Sequence, residues 1–371
     1  MNGCVFMSEK WRLIDLGKID YLTSQTVYHA VALARSEGVV DDTLLFCYPD
    51  RPFVCLGYHQ EIEKEIRVDF CKKTNIPIVR RVIGGGTVLL DDGQFFYQVI
   101  VSRKNPKVPL TIAGAYKTLL EAPVLTYRDL GISAEYKPIN DIEVHDKKIS
   151  GTGAGQVEET TVLTGNIILD FNYDLMTQIF KVPSEKFRDK ISKSLRERLT
   201  TCKKELGELP DRNLVKELLI KNFEQTLDIQ LVSDELTERE KELLQDLNEE
   251  YKTEEWVYAP SHRRPELYEK RKVKISRDVH IFETAYKSPG GLIRITGELT
   301  DDEIITDLLV SGDFWFFPAE RLQDLENAII GHPINESKLF EVISQFFTKH
   351  SIESPGTSPE DIVKAIILGT S

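Results

Sequence analysis

A run of three glycines between two apolar stretches restricts most strongly what this chain can fold into. Residues 76–79 are apolar, Arg80 and Arg81 follow, and residues 84–86 lead into a second β-rich stretch. Glycine tolerates positive φ and lets a ligand approach the backbone closely, so three in succession exceed what a turn requires. Guanidinium groups beside exposed amide N–H groups suit a phosphate or a carboxylate. The sequence therefore predicts an anion site here, and a glycine-rich hairpin with two solvated arginines is the alternative.

A second polar stretch strengthens this interpretation. Asn140 and Asp141 form a short turn, and Lys147 and Lys148 precede a glycine-rich segment. Taken together, the two stretches resemble the motifs of the lipoate–protein ligase A family. The matching residues are Arg80, Arg81, Gly84, Gly85, Gly86, Asn140, Asp141, Lys148, Ile149, Ser150, Gly151 and Gly165. The resemblance runs from about Trp11 to about Leu209 and continues more weakly through the C-terminal third. Two ordered motifs at family spacing are more specific than either one alone.

The resemblance implies an enzyme that works in two steps. A carboxylic acid, here lipoate, attacks the α-phosphate of ATP and gives an acyl-adenylate and pyrophosphate. A lysine of an acceptor protein then takes the acyl group. We therefore expect an AMP-forming, ATP-dependent lipoate–protein ligase that uses ATP with Mg²⁺. The expected acceptor is a lipoyl-domain protein or the carrier protein of glycine cleavage.

This reaction assigns a role to the matching residues. A carboxylate and a phosphate must be brought together, so a fixed cation is the main demand, and Lys148 is the predicted catalytic and nucleotide-binding residue. Arg81 is expected to hold phosphate, and Arg80 either does the same or braces the loop. Asn140 and Asp141 either orient Lys148 or a magnesium ion, or form a plain Asx turn. By resemblance, backbone contacts to the nucleotide come from Gly86, Thr87, Val88 and Leu89, and the predicted substrate-binding residues are Arg80, Gly84, Gly85, Asn140, Asp141, Ser150, Gly151 and Gly165.

Several positions depart from the family motifs. Ile83 stands where the family has a small hydroxyl residue, and Leu90 replaces the histidine before Asp91. Leu163 and Thr164 replace a pair of histidines. The arginines, the glycines and the lysine are kept, so we expect adenylation to be intact. The replaced histidines would line the acyl region, so the acid is open: lipoate is the first expectation, and octanoate or another medium-chain acid is the second.

The nearest alternative is an octanoyl- or lipoyltransferase of the same fold, which moves the acyl chain through a cysteine thioester and needs an activated thiol. No cysteine lies between Cys71 and Cys202, and Pro183 is followed by Ser184. A biotin ligase shares the fold but carries a different glycine-arginine loop in place of residues 80–86, so it fits this sequence less well. A non-catalytic lipoate-binding protein would require a damaged cation at Lys148. A P-loop kinase needs Gly-Lys-Ser/Thr after the glycines, and this chain lacks it.

The composition limits the partners and the compartment. Lys plus Arg is 47 against 60 for Asp plus Glu, which gives a net charge of −13 and argues against a general nucleic-acid binder. The five cysteines contain no CxxC pair and indicate reduced thiols. No apolar run approaches the roughly 20 residues of a membrane span, and residues 1–10 lack a hydrophobic signal region. A cytoplasmic protein without nucleic-acid or membrane partners is therefore predicted.

Apolar periodicity indicates an antiparallel-rich α+β fold, the class that the resemblance also implies through the biotin–protein ligases. Helices are predicted over residues 24–35, 112–130 with a break near Pro123, 187–199, 213–227 and 234–251. Residues 44–48 and 53–56 are expected to form a hairpin, with further strands over residues 95–101, 135–144, 148–151 and 162–170.

A chain of 371 residues exceeds one typical domain. We predict a catalytic domain over residues 1–250, a small α+β accessory domain over residues 255–350 and a tail over residues 351–371. Strands are expected at residues 272–275, 280–286 and 292–297, and a short apolar helix in the tail. The accessory segment carries none of the predicted anion-binding residues, so we expect it to act on adenylate formation by closing over them.

Overall fold

The computed structural model of the protein describes residues 8–182, 184–270 and 279–370. They divide into two compact units: Met1–Phe53 with Leu89–Glu249, and Val54–Val88 with Glu250–Ser371. The segment Val54–Val88, which carries the two arginines and the three glycines, thus groups with the C-terminal part of the chain. The predicted domain ranges, 1–250, 255–350 and 351–371, stay a prediction.

The strands and helices are numbered in chain order. The strands are β1 (Glu9–Ile19), β2 (Thr43–Pro49), β3 (Phe53–Leu56), β4 (Ile78–Arg80), β5 (Val88–Leu90), β6 (Gln94–Ser102), β7 (Glu135–Lys137), β8 (Asp141–Val144), β9 (Lys147–Ser150), β10 (Thr152–Val157), β11 (Thr160–Ile168), β12 (Ile229–Ser233), β13 (Val279–Ser288), β14 (Gly291–Thr300) and β15 (Ile305–Gly312). The helices are α1 (Thr23–Ser36), α2 (Ile62–Glu65), α3 (Val68–Lys73), α4 (Ile112–Leu119), α5 (Glu121–Asp129), α6 (Tyr173–Ile179), α7 (Glu185–Arg198), α8 (Cys202–Leu206), α9 (Arg212–Leu227), α10 (Glu238–Tyr251), α11 (Glu254–Val257), α12 (Ala259–Arg263), α13 (Pro265–Lys270), α14 (Arg321–Ile329), α15 (Glu336–Lys349) and α16 (Pro359–Thr370).

The first unit is built on a six-stranded mixed sheet in the order β10-β11-β6-β2-β1-β12. β1 runs parallel to β2 and β12, whereas β2, β6, β11 and β10 are successively antiparallel. Helix α1 packs on β6, β11 and β2 through its small apolar face, where Val27, Ala30, Val31 and Ala34 are fully buried. The predicted α+β class with an antiparallel-rich mixed sheet is confirmed.

A smaller antiparallel sheet, β7-β8-β9, carries the second polar stretch in the same unit. β8 and β9 form a hairpin in which Ile142 pairs with Ser150 and Glu143 pairs with Lys148. Ile142, Val144 and Ile149 are buried, so the alternating polar residues of these strands are the ones left toward the surface. This alternation places Asp141, Glu143 and Lys148 outside the apolar core.

The second unit contains the antiparallel sheet β13-β14-β15 and the parallel pair β3 and β4. Helices α14 and α16 contact the three-stranded sheet, and α15 packs on both helices. The core includes Ile293, Ile295, Leu308, Leu325, Ile343 and Phe314 together with Ile362 and Ile366 of α16. Residues 351–371, predicted as a tail, therefore include a helix whose apolar face lies in this core.

Most predicted elements are present, with some differences. The hairpin of residues 44–48 and 53–56 is wrong, because β2 pairs with β1 and β6 whereas β3 pairs with β4. The helix of residues 112–130 is interrupted at Leu120, and β12 and β15 were not predicted. The strand expected at residues 272–275 lies outside the described residues. Among the helices described, none is long and apolar enough to span a bilayer.

Candidate active site

The three glycines form a loop (residues 84–86, the glycine loop) in which hydrogen bonds hold the carbonyl groups of Gly84 and Gly86. Nη2 of Arg81 donates to the carbonyl oxygens of Gly84, at 2.7 Å, and Gly86, at 3.0 Å, while its Nη1 donates to the carbonyl of Cys55. Gly85 between them has φ +93, a left-handed conformation that glycine adopts without strain. Among the described residues, the N–H groups of Gly84, Gly85 and Gly86 donate to no other group. Successive backbone N–H groups without an acceptor are typical of loops that bind an anion.

Arg80 has contacts of another kind. Its side chain is fully buried, and Nη1 donates to the carbonyls of Gly57, at 2.8 Å, and Tyr58, at 3.0 Å. Nη2 and Nε donate to the carbonyls of Val257 and Trp256. Burial, followed by the repulsion of Arg263, lowers the pKa of Arg80 to about 9. These contacts are those of a brace, the second of its two predicted roles, and contact with substrate stays a prediction.

The residues after the glycine loop lead back into a strand. The Thr87 hydroxyl donates to Oε1 of Gln60, at 3.0 Å, and the same oxygen accepts from the N–H of Gly57, at 2.9 Å. Val88 and Leu89 then enter β5, where Val88 is half-buried and Leu89 is buried. Nucleotide contacts by these three residues stay a prediction.

Lys148 lies on β9 with its ammonium group near the surface. Its Nζ is 2.5 Å from Oδ1 of Asp141, and each of the two side chains is 36% exposed. The backbone at this position is fixed, because the carbonyl of Lys148 accepts a hydrogen bond from Thr200 N–H at 2.9 Å. A fixed strand thus presents a cation that one carboxylate orients and that keeps N–H donors for another anion.

The segments around Lys148 are anchored by side-chain amides. Nδ2 of Asn140 donates to the carbonyl of Thr152, at 2.9 Å, and the Thr152 hydroxyl donates to the carbonyl of Asn140. Ser150 donates to the carbonyl of Asn166, at 2.6 Å, and Oδ1 of Asn166 accepts from the N–H of Gly151, also at 2.6 Å. Asn166 was not among the predicted site residues, although its place directly after Gly165 was a signal.

Gly165 is explained by a close approach to an aromatic ring. It pairs in register with Tyr97 on β6, and a methyl group built on it would lie 2.2 Å from Cζ of that ring. A side chain larger than hydrogen would therefore displace Tyr97. This packing accounts for the glycine, and a role of Gly165 in substrate binding stays a prediction.

The predicted residues fall into two sets, one in each unit. The first unit holds Leu89, Asn140, Asp141, Lys148, Ser150, Gly151 and Gly165, and the second holds Arg80, Arg81, Gly84, Gly85, Gly86, Thr87 and Val88. Apart from Leu89 and Gly165, the first set is brought together on and beside the β8–β9 hairpin, and the second set by the segment from β4 to β5.

The cysteines among the described residues are buried, and potential metal ligands are scattered there. Histidine, cysteine, aspartate and glutamate residues in the described ranges form no cluster of three or more suited to a metal ion. Cys47, Cys55, Cys71 and Cys202 are buried, and burial raises the pKa of Cys202 to about 12. Cys4 lies outside the described residues.

Comparisons with known proteins agree with the arrangement. Residues 20–224 match the family described as the lipoyl protein ligase A/B catalytic domain. Subunit 1 of lipoate-protein ligase A from Thermoplasma acidophilum is 31% identical over 245 residues, which are 63% of this chain and 91% of that protein. The octanoyltransferase LipM of Anoxybacillus flavithermus is 29% identical over 278 residues, which are 67% of this chain and 98% of that protein.

Solved structures give the same result. A bipartite lipoate protein ligase from T. acidophilum, analysed with its E2 lipoyl domain, has a TM-score of 0.60 and 30% identity, over 67% of this chain and 96% of that chain. A lipoate-protein ligase A bound with ATP has a TM-score of 0.56 and 28% identity, over 68% of this chain and 99% of that chain. P. falciparum LipL1 with lipoate covers 96% of this chain and 99% of its own, at a TM-score of 0.69, but its 14% identity indicates the fold alone. This chain therefore belongs to the lipoyl protein ligase A/B catalytic domain family and has the α+β fold of the lipoate ligases.

Proposed function

We propose that this protein is an ATP-dependent lipoate–protein ligase, which forms lipoyl-AMP and transfers the lipoyl group to a lysine of an acceptor protein. The glycine loop carries the proposal. Three successive N–H groups are unpaired among the described residues, while Arg81 holds the carbonyls of Gly84 and Gly86. Such a loop offers hydrogen bonds and positive potential to phosphate oxygens. The ATP-bound ligase among the relatives supports the same nucleotide here.

In the first step, a carboxylate oxygen of lipoate attacks the α-phosphorus of ATP. A new C–O–P linkage forms, the bond from the α-phosphorus to the bridging oxygen breaks, and pyrophosphate leaves. Lys148 is proposed to stabilise the negative charge on the phosphorus centre, since its ammonium is oriented by Asp141 and retains free donors. Gly86, Thr87, Val88 and Leu89 are the proposed backbone contacts to the nucleotide.

In the second step, the uncharged amine of an acceptor lysine attacks the acyl carbon, AMP leaves, and an amide bond forms. A relative is a lipoate protein ligase analysed with its E2 lipoyl domain, which supports a lipoyl domain as acceptor over the carrier protein of glycine cleavage. Mg²⁺ is proposed to enter with ATP. The described side chains make no metal cluster, so phosphate oxygens and water would supply most of its ligands.

The second candidate is an octanoyltransferase, which the LipM relative favours. Such an enzyme needs a thiolate nucleophile that its acyl donor can reach. Cys47, Cys55, Cys71 and Cys202 are buried, and burial raises the pKa of each thiol. A transferase mechanism would therefore have to use Cys4 or expose a buried thiol, and this argues for the ligase.

An exchange assay distinguishes the candidates. The protein is incubated with ATP and labelled pyrophosphate, and with lipoate, octanoate or biotin in turn. A ligase exchanges label into ATP only with its own acid, and we expect lipoate to give the highest rate. Absence of exchange with all three acids, together with an acyl-thioester on the protein by mass spectrometry, would establish the transferase instead.

A further inference from the structure

The glycine loop lies on an indole ring contributed by the C-terminal third of the same unit. A methyl group built on Gly85 would be 3.1 Å from Cζ2 and 3.2 Å from Cη2 of Trp315. One built on Gly84 would be 3.4 Å from Cε3 of the same ring and 3.2 Å from the carbonyl oxygen of Phe314. Two successive glycines thus pack directly on the ring, and at these distances a methyl group added to Gly85 would displace the ring by a few tenths of an ångström.

The indole ring is itself held in place. Trp315 is 6% exposed, its ring stacks near Phe317 with 6.1 Å between centroids, and its carbonyl accepts a hydrogen bond from Ser354. The preceding backbone is fixed as well, since the N–H of Gly312 donates to the carbonyl of His59 at 3.1 Å. The ring of His59 stacks on that of Phe314, with 5.5 Å between centroids.

The glycine loop needs such support because glycine is the most flexible residue. Three glycines in sequence have many conformations of similar energy, and only some of them place the three N–H groups together. Arg81 donates hydrogen bonds to the carbonyls of Gly84 and Gly86; its Nη2 also lies beside Gly85, 3.1 Å from a methyl group built there, but it is not bonded to the Gly85 carbonyl. The carbonyl of Gly85 instead lies against Gly57, where an added methyl group would be 1.8 Å away. The indole ring covers the other side of Gly84 and Gly85.

We propose that Trp315 is a positioning residue for nucleotide binding: its ring holds the glycine loop in the conformation that presents the N–H groups to phosphate. This inference rests on the proposed function, and it assigns a specific task to the C-terminal third of the chain. Without the ring, the loop occupies the binding conformation for only a fraction of the time. The apparent affinity for ATP then falls by that fraction, whereas the rate at saturating ATP does not.

Steady-state pyrophosphate exchange with lipoate tests the proposal in the full-length protein. For Trp315→Ala we expect the KM for ATP to rise about tenfold or more, the KM for lipoate to change less than twofold, and kcat to stay within about twofold. Trp315→Phe keeps an aromatic ring and should restore most of the affinity. Trp11→Ala is the matched control, because Trp11 is also buried, at 2% exposed, but belongs to the first unit. It should leave the KM for ATP unchanged.

The outcomes separate the inference from the function on which it rests. If the wild-type protein shows no ATP-dependent exchange, the proposed function fails and the inference fails with it. If the wild-type protein exchanges label but Trp315→Ala lowers kcat with an unchanged KM for ATP, the indole has only a structural role. Should Trp315→Ala not fold, the same comparison is made with Trp315→Phe and Trp315→Leu. A KM for ATP equal in those two variants would overturn the proposal.

Discussion

The side chain of Lys148 is 36% exposed and its ammonium group lies 2.5 Å from Oδ1 of Asp141, so removing the side chain should affect chemistry more than folding. For Lys148→Ala we expect at least about a hundredfold loss of lipoyl-AMP formation, the usual effect of removing one donor to a developing charge. The midpoint of thermal unfolding should change little, because a partly exposed ion pair contributes about 1 kcal/mol or less. Pyrophosphate release with lipoate and a melting curve measure the two effects.

Lys147 provides the control for this experiment. It is the first residue of β9 and pairs with Val144 in the hairpin. It therefore shares the backbone of Lys148, but its side chain points to the opposite face of the strand. Lys147→Ala should lower adenylate formation by less than about threefold. Near wild-type turnover in folded Lys148→Ala would show that another group provides the cation.

A half-buried histidine, His29, and a buried one, His59, make the stability of the protein depend on pH. Burial lowers the pKa of His29 to about 4 and holds that of His59 well below its usual value. Both imidazoles stay neutral in the folded protein, whereas the unfolded chain takes up protons below about pH 6.5. The stability that they contribute is therefore fully present above pH 6.5 and is lost as the pH falls toward 4.

We expect the free energy of unfolding to fall between pH 7 and pH 5 by about 2 kcal/mol for His29 alone. His29→Gln should remove this part of the pH dependence, as measured by urea unfolding at the two pH values. His280→Gln serves as the control, because His280 is 68% exposed. If the free energy of unfolding falls equally between pH 7 and pH 5 in wild type and in His29→Gln, His29 does not titrate in this range.

At the scale of elements, the β8–β9 hairpin depends on a hydrogen bond beyond its own strands. Asn140 precedes β8, and its Nδ2 donates to the carbonyl of Thr152 at the start of β10. Asn140→Asp keeps the size of the side chain but removes this donor and places a carboxylate beside a carbonyl. We expect adenylate formation to fall about tenfold, because a lost hydrogen bond of about 1–1.5 kcal/mol loosens the segment that orients Asp141.

A second asparagine gives a matched comparison. Asn335 also precedes its element, where Oδ1 caps α15 by accepting from Lys338 N–H, and aspartate caps a helix equally well. Asn335→Asp should therefore leave both activity and stability unchanged. If Asn140→Asp behaved like Asn335→Asp, the plain Asx turn would be the correct description of Asn140.

The sequence predicts elements better than their partners. Apolar spacing is a local property, so α1, α9 and β6 were found nearly at their observed ends. The pairing of β2 is not local. All residues of β2 except Tyr48 are buried, as in a central strand with a neighbour on each side. The polar turn after β2 does not specify which strands these neighbours are. The sequence likewise does not decide between the two roles of Arg80, because the carbonyl groups of Trp256 and Val257 that accept from it lie 176 and 177 residues away.

At the scale of the whole chain, the C-terminal third is joined to the glycine motif within one unit. Arg80 on β4 donates to the carbonyls of Trp256 and Val257, and Trp315 lies against Gly84 and Gly85. The expectation that this third acts chiefly on adenylate formation stays a prediction. Deleting the C-terminal third does not test this expectation cleanly, because the deletion also removes groups that hold Val54–Val88.

A chain that ends at Glu255 should consequently lose structure where the sequence is still present. The shortened chain lacks the carbonyl oxygens of Trp256 and Val257 that accept from Arg80. The buried guanidinium of Arg80 would then have unpaired donors, which would lower the free energy of unfolding by several kcal/mol. We expect the N–H groups of Val54 and Arg81, which donate to Pro77 and Leu56 in the full chain, to lose their protection from hydrogen exchange. Strand β6 of the first unit is the internal control, and its amides should stay protected. Retained protection at both Val54 and Arg81 in the shortened chain would show that Val54–Val88 folds without the C-terminal third.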